Sequence, residues 1–293
     1  MYDIIIIGGG PAGLTAAIYA SRANKKVLVI EKTYIGGQVA VLSNLNNYPG
    51  FEHIDGFSLS QKMYEQAKNL GSEFVIDEVV SCELNSEIKT IFTYKNTYKS
   101  KSVVIATGAY SKPLNLENEK SYLGRGLSYC ATCDGNFFKN KKVAIVSNGN
   151  SGINDIIYLA NLANELNVIF TQEAPHVDIS KFPSSVNFFD NSKITKIDGE
   201  PTLNKITIQN KQNGQKQDLN VDGLFVNIGK YPYTDIFVGL EIDDKGYIVT
   251  DSNMRTNLKN VYAVGDVRNT PLKQIVTACS DGAVAVSTFI SNE

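Results

Sequence analysis

The sequence predicts an α/β fold of two three-layer units, the second inserted in the first, and three observations predict it. Two segments, 2–31 and 141–172, each read as strand, glycine-bearing turn, helix and strand, so one supersecondary unit occurs twice. Each copy is followed by short alternating stretches that read as further strands. A last apolar strand, 260–264, lies far beyond the second copy and ends in Gly265-Asp266, which returns the chain to the first unit. With crossings expected near 111–113 and 239–246, the units are 1–112 with 243–293, and 113–242.

The first copy opens with an apolar strand from Tyr2 to Ile7. Gly8-Gly9-Gly10-Pro11-Ala12-Gly13 follows, then a helix over Leu14–Ser21 and a strand over Val27–Ile30. In G-x-G-x-x-G after a strand, Gly8 allows the tight turn, Gly10 lets backbone approach a pyrophosphate, and Gly13 lets helix and strand pack closely. Pro11 suits a first helical turn, and the helix N-terminus offers unpaired N–H groups to phosphate. Glu31, at the end of the second strand, stands where a ribose hydroxyl donates. These features define a dinucleotide-binding, Rossmann-like unit.

Between the copies, 73–105 alternates as in 89–94 and closes on the apolar strand Ser102–Ile105 and the turn Ala106-Thr107-Gly108-Ala109. The second copy has a strand over Val143–Val146, a turn over Ser147–Gly152, a helix to about Leu166 and a strand over Val168–Phe170. Strand-like stretches around 187–209 lead to the apolar run 223–229.

Bulk properties agree. A chain of 293 residues with 43% hydrophobic content suits two packed domains. A formal charge of −2 gives no net basic field to draw it onto nucleic acid or anionic lipid. Met1–Ile7 leaves no room for a secretory leader, and the apolar runs fall short of the roughly 20 residues that span a bilayer, so a cytoplasmic protein is expected. Of four cysteines, two form Cys130-Ala131-Thr132-Cys133. In a reducing compartment that spacing means redox or metal chemistry. Structural zinc takes about four ligands, and Cys82, Cys279, His53 and His176 are scattered, which favours redox chemistry and no metal site.

FAD rather than NAD is expected in the first unit. Val264-Gly265-Asp266 puts a carboxylate at a strand end, within reach of a ribityl chain. Leu272-Lys273-Gln274 and Asp281-Gly282-Ala283 lead into a helix whose N-terminus suits the negative charge of reduced flavin. A cysteine pair cycling with flavin needs one thiol for an outside disulfide and one for the flavin, and Asp134 supplies or takes a proton.

In order along the chain, Gly8–Gly13, Gly36-Gly37-Gln38, Asn47-Tyr48-Pro49-Gly50, Ala106–Ala109, Cys130-Ala131-Thr132-Cys133-Asp134-Gly135 and Tyr262–Arg268 resemble the low-molecular-weight thioredoxin reductases. The resemblance covers nearly the whole chain. It implies that Cys130 attacks thioredoxin, Cys133 faces the flavin and Asp134 is the acid. It implies FAD contacts from Gly8, Gly10, Pro11, Ala12, Gly13, Glu31, Gly36, Gly37, Gln38, Asn47, Val79, Thr107, Gly108, Gly265, Asp266, Gln274 and Ile275. It also implies a homodimer and a hinge rotation between domains.

The second copy departs from that pattern. Its turn reads Ser147-Asn148-Gly149-Asn150-Ser151-Gly152, so a side chain replaces the first glycine. After the next strand, NADPH-using members carry a His-Arg-Arg run and a further arginine. Here Phe170-Thr171-Gln172-Glu173-Ala174-Pro175-His176 stands instead, and no arginine occurs between Arg125 and Arg255. Each missing charge-assisted bond to a 2′-phosphate is worth roughly 1.5–3 kcal/mol, and Glu173 would repel it. The segment 177–189 is shorter than its family counterpart. The expectation is loss of NADPH and NADH binding, as in the similar ferredoxin-dependent flavin thioredoxin reductases. Acidic ferredoxin would need a basic patch, for which Arg22, Lys25, Lys26, Lys139, Lys141 and Lys142 are candidates. The alternatives are a pyridine-nucleotide reductase with a divergent site, a second group such as another flavin in the degenerate pocket, and a non-catalytic flavin and dithiol sensor.

Overall fold

The computed structural model describes residues 1–42, 44–149, 152–173 and 182–292. The chain divides into two compact units, 1–110 with 231–293, and 111–230. The second crossing therefore falls at Lys230/Tyr231 rather than at 242/243. The reason is packing: Phe237 is buried in the core of the first unit, with Ile236 and Leu240 against it.

In the first unit, β1 (Tyr2–Ile7), β2 (Val27–Glu31) and β3 (Glu73–Ile76) run parallel, preceded or joined by α1 (Pro11–Arg22) and α2 (Gly56–Asn69). The hairpin β4 (Val79–Glu83) and β5 (Lys89–Thr93) pairs antiparallel with β6 (Thr97–Ile105). β6 exceeds the expected 102–105 because its first half pairs with β5 and its second half runs beside β1. Alternation along β1 sets the layers. Ile4 and Ile6 join Ala16, Ala17 and Ala20 of α1 in one core, and Ile5 and Ile7 join Ile91, Val103 and Ile105 on the other face.

β7 (Ala109–Ser111) is the first crossing. The second unit then holds β8 (Leu127–Ser128), α3 (Ala131–Asp134), β9 (Lys142–Ser147), α4 (Ile153–Ala160), β10 (Glu165–Phe170) and β11 (Val186–Phe189). After them come β12 (Ser192–Asp198), β13 (Lys205–Asn210), β14 (Lys216–Asn220) and β15 (Gly223–Asn227). A parallel sheet runs β11-β10-β9-β15-β8, and β12-β13-β14 is an antiparallel sheet. Ile145 and Val168 of the parallel sheet bury with Ile156 and Leu159 of α4, while Val146 and Val226 bury with Ile194 and Ile206 of the antiparallel one. Helix, sheet and sheet thus make three layers.

The helix expected to reach Leu166 stops at Ala160 instead. Asn161 turns its side-chain amide onto the Ile157 carbonyl at 2.9 Å, and Asn164 N–H already donates to Lys141, so β10 begins early. β16 (Lys230–Pro232) pairs with β7 where the chain crosses back. β17 (Val261–Ala263) then joins β6 in parallel, and α5 (Ile275–Ser291) packs on α1. Close approach there depends on Gly282, since a Cβ would come within 2.3 Å of the Ala12 carbonyl oxygen. Among the described residues no helix is long and apolar enough to cross a membrane.

Candidate active site

The turn after β1 is built as its glycines require. Gly8 has φ +111°, and a Cβ on it would lie 2.3 Å from the Ala106 carbonyl oxygen. A Cβ on Gly13 would lie 2.0 Å from the Gly8 carbonyl oxygen, so only glycine lets α1 close on the strand. Gly10 is the N-cap of α1, Pro11 begins the helix, and Ala12 is buried behind them. A Cβ on Gly10 would meet nothing within 4 Å, which leaves open space before the first helical N–H groups.

Other elements converge on this turn. Glu31, closing β2, accepts the Gly9 N–H at 2.7 Å and the Thr33 N–H at 3.0 Å. Gly36 N–H donates to the Gly9 carbonyl at 2.8 Å, and Gly36 and Gly37 have positive φ, which lets that loop lie against Gly10. Gln38 donates to the Ala109 carbonyl, beside Gly108 at φ +70°. The Thr107 hydroxyl reaches the Tyr233 carbonyl at 3.3 Å. Val79 is buried at the start of β4, where Asp77 N–H crosses the end of β2 to the Glu31 carbonyl. Asn47 donates to Gln274 at 3.0 Å, and loop 46–52 bounds an open cavity of ≈ 540 Å3. Gln274 is the N-cap of α5, in a reciprocal capping box with Thr277, and Ile275 is its first residue.

Gly265 and Asp266 follow β17, and a clamp that motif reading missed fixes them. Asp281, buried in α5, accepts Gly265 N–H at 3.0 Å and Arg268 in bidentate fashion at 2.7 and 2.8 Å. Lys273 donates to the Asp266 and Arg268 carbonyls at 2.9 and 3.0 Å and lies over the Tyr247 ring. The signal available was Arg268 and Asp281 flanking a helix start, but their pairing needed the fold. The strand-end crevice, with its open glycine cradle, the Glu31 carboxylate beside it and the clamped Gly-Asp turn, fits FAD.

In the second unit Cys130 and Cys133 are joined as a disulfide, with Cα atoms 5.3 Å apart. Cys130 caps α3, and Cys133 and Asp134 lie within it. Burial pushes the Asp134 carboxyl above its ordinary pKa, while a 2.6 Å bond from the Ser128 hydroxyl pulls it back. Tyr129 donates to Glu119, a buried carboxylate that also accepts N–H groups from Leu114 and Leu116. Burial, and then the bond to Glu119, raise the Tyr129 phenol. Neither Ser128 nor Glu119 was found from sequence. Among the described residues no cluster of His, Cys, Asp and Glu could hold a metal ion.

The second glycine turn differs from the first. Ser147 stays in β9, paired with Asn227 and Phe170, rather than opening the turn as the sequence suggested, and positive φ moves to Gly149 at +133°. The Ser147 hydroxyl accepts Gly149 N–H at 3.4 Å, and a Cβ on Gly152 would lie 2.2 Å from it. Past β10, Thr171 accepts from Lys211 at 2.6 Å, and Gln172 and Glu173 are exposed. Asn150, Ser151, His176 and the 177–181 part of the shortened segment lie outside the described residues. Several docking candidates are engaged: Lys26 with Glu73 at 3.9 Å, Lys142 with Glu165 at 3.5 Å, and Lys25 and Lys141 over the Phe289 and Phe138 rings.

Two Rossmann-like units with a cysteine disulfide at a helix start define a class, the two-domain disulfide oxidoreductases. The chain belongs to the pyridine nucleotide-disulphide oxidoreductase family, whose model matches residues 2–282, and within it to the thioredoxin reductases. A thioredoxin reductase of Listeria monocytogenes is 40% identical over 294 residues, covering 97% of this chain and 92% of that protein. The crystal structure of thioredoxin reductase from Streptococcus pyogenes has 37% identity and a TM-score of 0.92, covering 100% of this chain and 99% of that one. A ferredoxin-flavin thioredoxin reductase from Clostridium acetobutylicum has 32% identity and a TM-score of 0.55, covering 99% and 97%.

Proposed function

We propose that this protein is an FAD-dependent thioredoxin reductase, acting as a cytoplasmic homodimer, whose electrons come from reduced ferredoxin rather than from a pyridine nucleotide. When bound, FAD supplies a carrier that accepts electrons from a donor and passes a pair to a disulfide. The chain's own residues hold and direct it. The Gly8–Gly13 turn and α1 would hold the pyrophosphate, Glu31 the ribose hydroxyls, and the Gly265-Asp266 turn the ribityl chain. Gly36–Gln38, Asn47 and the start of α5 would line the rest. Cys133 is assigned to the flavin side, Cys130 to thioredoxin, and Asp134 to the proton.

The observation that carries the donor assignment is the contrast between the two turns. The first turn closes on backbone at Gly8 and Gly13, whereas in the second the Ser147 hydroxyl accepts the Gly149 N–H at 3.4 Å and lies over Gly152; Gly149, the counterpart of Gly10, is as open as Gly10. The absence of arginine from 126–254 supports the same reading, because a 2′-phosphate is held by several charge-assisted bonds. The likeness to the ferredoxin-flavin enzyme, at a TM-score of 0.55, is lower than that to the Streptococcus pyogenes thioredoxin reductase, at 0.92, and does not favour either donor.

A pyridine-nucleotide donor is the second reading. The family's name favours it, as does Lys211, which brings one cation to the end of β10. Anaerobic mixing with reduced ferredoxin, NADPH and NADH side by side decides between them. Reduced ferredoxin is expected to bleach the flavin band while neither nucleotide does. Saturable bleaching by NADPH, or none by ferredoxin, overturns the donor assignment and leaves the thioredoxin reductase reading standing. Failure to turn over any thioredoxin once reduced would instead favour a sensor.

A further inference from the structure

We propose that Ser128 is a positioning residue for thiol–disulfide exchange, its hydroxyl setting the Asp134 carboxyl as the acid that protonates the departing sulfur. The inference rests on the reading of Asp134 as that acid, and it adds the group that makes the position reproducible.

Ser128 is 6% exposed and ends β8, where the pairs Leu127–Leu224 and Ser128–Phe225 fix its backbone to β15. One hydroxyl offers a single proton and two lone pairs. Cys130 N–H donates to Ser128 Oγ at 3.0 Å, and Oγ donates to Asp134 Oδ2 at 2.6 Å. The other acceptor in reach, the Cys130 carbonyl at 3.3 Å, is the weaker one and already takes the Asp134 N–H at 3.1 Å. The same side chain therefore grips the main chain of the first cysteine and the carboxylate beside the second. Cys130 caps, and Cys133 and Asp134 belong to, a four-residue helix with little rigidity of its own, so the strand supplies it. With Oδ2 held, Oδ1 is left for sulfur chemistry. Burial raises the Asp134 carboxyl, which favours the protonated donor, and the Ser128 bond pulls the other way. From α4, packed on α3, it is Tyr158 and Leu159 that approach the adjoining Gly135.

The exchange balances as follows. The Cys130 thiolate bonds to one sulfur of the outside disulfide, that S–S bond breaks, and the departing sulfur takes the Asp134 proton. Cys133 then gives its proton to Asp134 and attacks Cys130 Sγ, which reforms the Cys130–Cys133 disulfide and releases the second thiolate; that thiolate takes the Asp134 proton, and solvent reprotonates Asp134. The dithiol loses two electrons and the outside disulfide gains them.

The test uses the holoenzyme with its dithiol reduced chemically, so the natural donor does not matter, and two probes. Hydroxyethyl disulfide releases a basic alkyl thiolate that needs a proton, whereas 5,5′-dithiobis(2-nitrobenzoate) releases an aryl thiolate that does not. Ser128→Ala is expected to slow the alkyl reaction about ten-fold and the aryl reaction less than about two-fold, below the roughly hundred-fold that loss of a whole general acid costs. Asp134→Asn should show that larger selective loss, and adding Ser128→Ala to it should cost nothing more. Ser128→Thr and Ser128→Val, nearly equal in shape, should differ, with only threonine restoring the alkyl rate. Should Ser128→Ala fail to fold, that pair carries the test. An alkyl rate untouched in Ser128→Ala while Asp134→Asn is slow overturns the role of Ser128 alone. Equal slowing on both probes also overturns it, since that marks a disturbed turn. A normal alkyl rate in Asp134→Asn overturns the acid reading itself.

Discussion

The two glycine turns of this chain descend from one pattern and have been built to opposite ends. In the first, the closest contacts are backbone on backbone. Gly13 packs on the Gly8 carbonyl and Gly8 on the Ala106 carbonyl, while the space before Gly10 stays open. In the second, the close contact is a side chain: the Ser147 hydroxyl occupies the place over Gly152 and takes the Gly149 N–H. Both let a helix pack on a strand, but the second does so through a hydroxyl where the first uses a carbonyl. A strand–turn–helix can thus keep its fold when a side chain replaces the first glycine of the turn.

That contrast predicts which changes can be reversed. Gly13→Ala drives a methyl into backbone, and no side-chain substitution relieves it. The expected cost is about 4–5 kcal/mol with loss of bound flavin, read as melting temperature and flavin-to-protein ratio. Gly152→Ala meets only the Ser147 hydroxyl and should cost about 1–3 kcal/mol. Adding Ser147→Gly should recover most of that. A Gly152→Ala protein that Ser147→Gly fails to rescue would mean that the second turn is held by backbone after all.

The buried acids repeat the contrast at smaller size. Asp281 of the first unit is paired with Arg268 and with Gly265 N–H, so Asp281→Asn strips a buried guanidinium of its counter-charge. Breaking such a pair costs about 3–5 kcal/mol. Because the Gly265-Asp266 turn hangs on it, flavin should be released at lower denaturant than the first unit unfolds. Flavin fluorescence and far-UV circular dichroism in one urea titration test this, and coincident transitions would separate the clamp from the cofactor.

Much of this was legible in sequence, for reasons the particular residues make plain. The G-x-G-x-x-G turn and the paired cysteines are local, so spacing alone places them on strand end and helix start. Continuous apolar runs such as Ile4–Ile7 announce a sheet buried on both faces. What escaped were pairings between separate elements, Arg268 with Asp281 and Tyr129 with Glu119, because a lone polar residue carries no mark of its partner. The end of α4 escaped because Asn161 and Asn164 act through side-chain and sheet bonds that periodicity does not report. The crossing at Lys230 escaped because Phe237 reads as apolar whichever unit it enters.

The smallest effect belongs to Asp155, in the first turn of α4. Burial raises its carboxyl above the ordinary 3.8, opposed by a 2.7 Å bond from Asn227 and by the charge of Lys230. A carboxyl whose folded pKa is raised binds its proton more tightly when folded. Its contribution is therefore favourable below the unfolded pKa and is lost as pH rises through the folded one. At neutral pH the ionised group is a burden. Asp155→Asn keeps the polar contact with Asn227 and removes the charge, so the second unit should gain about 0.5 kcal/mol at pH 7 and nothing at pH 3.5. Melting temperatures of the two proteins across that range test the sign. A variant that loses stability at pH 7 would show that Lys230 outweighs burial, making Asp155 a paired acid like Asp281.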